Sequence, residues 1–183
     1  LGYVYKRQEI HIEGVMLLSP MLELRRTGKG RKNKIISNLG KMSKDTRFKV
    51  GISSQDLTRN EEIIDETDND GLMLKKVTYR WYNLIVEKMK ETMDHIKDIK
   101  QLPALIMYGT EDKILETDAI IELKDKLASN ELYFKAWNGL YHEIHNEPER
   151  DQVMRYVLTF LNNIVNTIGF LVIEEEIDDI LVM

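Results

Sequence analysis

The chain has 183 residues, a length that fits one domain of ordinary size with room for a small inserted subdomain. Hydrophobic residues make up 43% and charged residues 31%, the balance of a soluble globular protein, and three prolines and ten glycines are too few for a long disordered segment. A net charge of −5 gives the chain no general attraction to nucleic acid or anionic membrane, and the lack of cysteine excludes disulfides and thiolate metal sites while fitting a reducing cytoplasm.

Residues 1–8 (LGYVYKRQ) lead into no recognisable element and are read as a non-native scar. The first clear element is Gly14–Ser19, an apolar run stopped by Pro20 and expected to be a strand buried on both faces. From Met21 to Lys100 the chain turns polar, charged and helical in period. Ile35, Ile36, Leu39 and Met42 recur at helical spacing, and Ser53, Ser54 and Asp56 offer turn and cap chemistry. Thr58 with Glu61 predicts a capping box and a short helix over Arg59–Glu66. A longer helix is expected from Lys76 to about Ile99, with Val77, Trp81, Leu84, Ile85, Met89 and Met93 as its apolar stripe.

Pro103–Gly109 predicts a second buried strand and Glu131–Trp137 a third. Between them Thr117–Ala128 reads as a helix with Ile120, Ile121, Leu123 and Leu127 inward. Pro148 then opens a helix through about Asn163, with Val153, Val157, Phe160 and Leu161 facing in. This alternation is that of an α/β fold with about three parallel strands, flanking helices and a helical insert. Three strands leave a long edge uncovered, so part of the sheet is expected to precede Gly14. The domain reading is a core of 9–20 and 101–163, a helical insert of 21–100, and a tail of uncertain origin over 164–183, whose apolar run is about half of the roughly 18–20 residues a membrane span needs.

Chemistry concentrates after the second and third strands, where open parallel sheets place their sites. Gly109-Thr110-Glu111-Asp112 offers a carboxylate, and Leu140-Tyr141-His142-Glu143-Ile144-His145 offers an imidazole. Alone, the Asp is more often a turn or cap residue and the His a surface one. As a pair after consecutive strands they suit an acid that orients a general base. His142 and His145 could also be read as metal ligands, but they lie in a loop without a convincing third donor.

The runs LPALIMYGTEDKI and WNGLYHEIHNEPER resemble the acid loop and histidine loop of the lysophospholipase/monoacylglycerol-lipase family of α/β-hydrolases, also grouped with serine aminopeptidase-like hydrolases. More loosely, GVMLLSPMLEL is similar to that family's strand after the nucleophile helix, and Gly51–Trp81 to its cap. The resemblance covers about residues 12–162 and implies Asp112 as triad acid and His142 as base, with His145 and Glu147 shaping the histidine loop. Glu111 is the rival acid, at the wrong offset from Gly109.

The family's nucleophile is the Ser of a G-x-S-x-G elbow, and none of the six serines here is so flanked; Ser53 has Gly51 two before it but Gln55 two after. The nucleophile and oxyanion hole are therefore expected in a missing N-terminal half, leaving this piece inactive. The resemblance further implies a small lipid ester substrate, no cofactor, and a cap whose Trp81 and Met89 could line the acyl pocket or simply pack. It allows transient membrane-surface contact through the cap and sets no oligomeric state. A peptidase or thioesterase with the same triad, and a non-catalytic binding protein on a degenerate hydrolase fold, remain alternatives.

Overall fold

A computed structural model describes residues 12–25, 45–49, 51–98 and 102–181, the side chains of the last helix through residue 167. The helix expected around Ile35–Met42 and the segment 1–8 lie outside the described residues. Strands β1 (Val15–Leu18), β4 (Ala104–Gly109) and β5 (Leu132–Trp137) form a parallel sheet in the order β1-β4-β5, with Val15 opposite Ala104 and Ala104 opposite Leu132. These are the three strands the apolar runs predict, each trimmed by a residue or two at its ends.

β4 is the middle strand, and all six of its residues are buried, which is why it reads as an unbroken apolar run. Its side chains alternate between two cores. Ile106 and Tyr108 pack with Leu22, Ile96, Ile120 and Leu123 on one face. Leu105 and Met107 pack with Leu140, Ile144, Val153, Val157 and Phe160 on the other. The first face is covered by helix α4 (Thr117–Lys126) and the second by α5 (Arg150–Leu181). On α4, Ile120 and Leu123 face inward as expected, whereas Ile121 is exposed; on α5, Leu161 is exposed while Val153, Val157 and Phe160 fill the core. α5 begins two residues after Pro148 and runs on as a helix well past Asn163.

The insert between β1 and β4 holds α1 (Ser54–Leu57), α2 (Glu61–Asn69) and α3 (Tyr79–Asp94), followed by a 3-10 turn at Ile96–Asp98. It also holds a short antiparallel pair that the helical period hides, β2 (Arg47–Phe48) with β3 (Val77–Thr78). That pairing makes α3 start at Tyr79 rather than Lys76, with Thr78 as its cap accepting from Trp81 N–H. Phe48 stacks on Tyr79 and meets Tyr82 edge-on, so aromatic contact supports this strand pair alongside its ladder. The stripe of α3 is rotated accordingly: Met89 is buried, but Trp81 and Leu84 are exposed. The capping box also falls elsewhere. α2 is capped by Asn60, whose side chain accepts from Glu62 N–H, and the reciprocal Ser/acid pair is Ser53 with Asp56 at α1.

Candidate active site

Asp112 is positioned by the turn that ends β4, in which its N–H bonds back to Gly109 O at 3.3 Å. The segment after β1 braces this turn: Leu24 bridges Leu115, Arg25 N–H donates to Ile114 O, and Arg25 Nη1 donates to the Asp112 carbonyl at 2.8 Å. Asp112 is buried, and its carboxylate is fully engaged. Oδ1 accepts the backbone N–H groups of Ile114 (2.8 Å) and Leu115 (2.9 Å), and Oδ2 faces His142 Nδ1 at 2.8 Å. Three partners on one buried carboxylate meet the condition that lets such a group sit away from water. Glu111, the rival acid, is exposed.

His142 lies in the loop after β5. That loop is sewn to the acid turn by Thr110 N–H to Trp137 O, Glu111 N–H to Leu140 O and Gly139 N–H to Thr110 Oγ1. Gly139 takes φ +78, the left-handed region that favours glycine, where the chain leaves the strand. With the carboxylate of Asp112 as acceptor, Nδ1 carries the proton and Nε2 is the nitrogen free to take one. The His142 side chain is 16% exposed, reachable yet held. Asp112 and His142 are therefore brought together from the ends of adjacent parallel strands. His145 is exposed, three residues on.

Glu147 is also fully buried. Its Oε1 accepts Tyr141 N–H at 2.7 Å, and its Oε2 accepts both Nε (3.0 Å) and N–H (3.2 Å) of Arg59. The Arg59 contact escapes sequence reading because the two residues lie 88 positions apart, with most of the insert and the whole β4–α4–β5 unit between them; Glu147 itself is legible only through the family's histidine loop. Of the residues expected to touch substrate, Trp81 is 47% exposed on α3 and Met89 is buried.

Two serines bear on the nucleophile question. Ser53, whose flanks come nearest to an elbow, is exposed, and both its N–H and its hydroxyl donate to Asp56 Oδ2 as a helix cap. Ser19 ends β1 at φ +45, a left-handed conformation unusual for a residue other than glycine, and its buried hydroxyl has no hydrogen-bond partner among the described residues.

The profile of the serine aminopeptidase, S33, hydrolases matches residues 1–149. A phospholipase of Bacillus subtilis, YtpA, is 29% identical over 165 residues, which are 90% of this chain and 64% of that protein. Among solved structures, a monoacylglycerol lipase of Paleococcus ferrophilus superposes with a TM-score of 0.76 at 21% identity, covering 89% of this chain and 63% of that one. A monoglyceride lipase of Saccharomyces cerevisiae, solved with a substrate analogue, gives a TM-score of 0.71 at 17% identity over 81% of this chain and 55% of its own. The chain thus spans less than two thirds of the length of each relative.

Proposed function

The chain belongs to the serine aminopeptidase (S33) family of α/β-hydrolases, and on that premise we propose that it carries the acid and base of a Ser-His-Asp triad that hydrolyses carboxylic esters of monoacylglycerols or lysophospholipids. The observation that carries this reading is the 2.8 Å contact between His142 Nδ1 and the buried Asp112 carboxylate. The triad serine and its oxyanion hole lie outside the 183 residues in this reading.

The serine hydroxyl attacks the ester carbonyl while His142 Nε2 takes its proton, and the imidazolium that results is stabilised by Asp112, which stays ionised. His142 then returns the proton to the departing glycerol oxygen, and a water repeats the sequence on the acyl-enzyme. Because Asp112 Oδ1 is pinned by two backbone N–H groups, Oδ2 is presented to the ring at a fixed angle, so the base needs little reorganisation during turnover.

The lipid-ester class draws support from the phospholipase and monoacylglycerol lipases to which the chain is similar. Trp81 on the solvent side of α3 is the residue we assign to acyl-chain contact, with Met89 packed beneath the same helix. No helix among the described residues is long and apolar enough to cross a membrane. Leu72 and Leu74 are 88% and 77% exposed beside Lys75 and Lys76, a combination suited to brief contact with a lipid surface.

The test is His142→Ala in the complete protein with a short-chain nitrophenyl ester and a monoacylglycerol. Loss of nearly all turnover on both supports the triad. Full activity of that variant would sink it, and turnover of aminoacyl amides in place of esters would move the substrate class to the peptides that the family's description names.

A further inference from the structure

We propose that the turn Leu57-Thr58-Arg59 in the insert is a positioning clamp for His142, acting through the buried carboxylate of Glu147, so that movement of the insert is transmitted to the base. The proposal rests on the reading of His142 as the general base.

The residues on either side of His142 are both held by this system. Tyr141 N–H donates to Glu147 Oε1 at 2.7 Å, and Glu143 N–H donates to Leu57 O at 2.8 Å. Thr58 Oγ1 donates to Asn146 O at 3.1 Å, closing the far side of the same loop. Glu147 Oε2 takes two bonds from Arg59, whose Nη2 continues to Glu149 at 2.5 Å. Just upstream, Lys113 Nζ reaches Gln55 O at 3.4 Å and stands 3.8 Å above the Tyr141 ring. Every residue of the insert from Gln55 to Arg59 except Asp56 thus contacts the acid loop or the histidine loop.

The backbone of His142 has two flanking peptide N–H groups, and neither is bonded to the sheet. One is held by an acceptor on the insert directly, the other by a carboxylate that the insert neutralises. Glu147 is completely buried, so without the Arg59 guanidinium it would be a charge held only by the backbone N–H groups of Tyr141 and Arg59. A buried carboxylate deprived of its cation draws in water or shifts the chain to reach it. Either response moves Tyr141, and with it the neighbouring imidazole that must meet Asp112 at 2.8 Å. A misplacement of about 1 Å at a reacting group costs about 100-fold in rate.

The experiment compares Glu147→Gln, Arg59→Met and Arg59→Lys in the complete protein. Three quantities are read: kcat and KM on a short-chain ester, the pH midpoint of kcat/KM, and the Nδ1–H resonance of His142 by imidazole-selective NMR. The expected result is a fall in kcat of about 10- to 100-fold for Glu147→Gln and Arg59→Met with KM little changed. It is accompanied by a displaced or broadened His142 Nδ1–H signal and a shifted midpoint. Arg59→Lys, on a half-exposed side chain, keeps one cation near Glu147 and restores part of kcat. Variants that lose thermal stability but keep kcat, midpoint and resonance would overturn the clamp. Should Glu147→Gln and Arg59→Met fail to fold, Arg59→Gln decides, since it removes the cation but keeps a polar side chain, and an unchanged kcat and resonance there also overturns the clamp. The NMR readout does not require turnover, so the clamp and the triad reading fail separately. An inactive-site result from His142→Ala leaves the resonance shift to be judged on its own.

Discussion

Gly109, the last residue of β4, lies so close under the carbonyl of Leu140 that a Cβ added to it would stand 2.2 Å from that oxygen and 2.3 Å from the carbonyl oxygen of Tyr141. The acid and base loops can be this near only because no side chain separates them. Gly109→Ala is expected to push the histidine loop off the sheet, with a loss of stability of roughly 1–3 kcal/mol and loss of the Asp112–His142 contact. A thermal melt together with the His142 Nδ1–H resonance checks both.

Asp112→Asn and Asp112→Ala separate two duties of one carboxylate. Asn keeps an oxygen for the N–H groups of Ile114 and Leu115 but faces His142 with an amide, which favours the wrong tautomer. In the complete protein kcat is expected to fall by about 1,000- to 10,000-fold with little change in stability. Ala should lose as much activity and also destabilise, since two buried donors are left unmet at about 1–3 kcal/mol each. Equal stability for the two variants would contradict the anchoring role assigned to Oδ1.

Ser19 combines a left-handed backbone with a buried hydroxyl that has no partner among the described residues. Ser19→Gly relieves both at the cost of some unfolded-state entropy, and the expected balance for this chain is a gain of about 1 kcal/mol. Denaturant unfolding measures it. A loss of stability instead would mean that the hydroxyl is bonded in the native fold.

Asp56 gives the insert a dependence on acid. Partial burial is the largest single influence and pushes its carboxyl upward, but the two hydrogen bonds from Ser53 and the charge of Lys113 together outweigh it and hold the group below its ordinary value of 3.8. A lowered folded-state value means stability that is present above pH 3.8 and is lost as pH falls through the depressed value. Ser53→Ala should raise the midpoint of Asp56 in a carboxyl NMR titration and loosen α1 above pH 3.8, the difference fading as pH falls through the depressed value; an unmoved midpoint would show that the Ser53 hydroxyl does not hold it.

The strands of the sheet were legible because β4, buried on both faces, leaves a continuous apolar run, and because Gly109 and Pro103 punctuate it. The acid–base pair was legible for a related reason. Each residue follows a strand that can be read locally, and parallel sheets collect such loops at one edge. The rotation of α3 was not, since Trp81 and Tyr82 are neighbours of equal apolar character and only the long-range β2–β3 pairing, with Phe48 against Tyr82, decides which turns inward. Nor was the meeting of Arg59 with Glu147, which depends on how the insert folds back over the sheet. Thr58 illustrates the limit: its spacing to Glu61 suits a capping box, yet its hydroxyl serves Asn146 O and Asn60 N–H instead.

The two halves of this site differ in how far along the chain they must reach. Asp112 and His142 are 30 positions apart, joined by one strand–helix–strand unit, whereas Arg59 and Glu147 are 88 apart. Closing the longer loop costs more chain entropy, so the β4–α4–β5 unit is expected to form first and the insert to dock onto it later. Reversed, the same ordering governs opening. In native-state hydrogen exchange the amides of Ile114 and Leu115 should outlast that of Glu143, whose acceptor Leu57 O belongs to the insert. The molecule would then pass through partly opened states in which the carboxylate is still locked in place while the imidazole has already come loose.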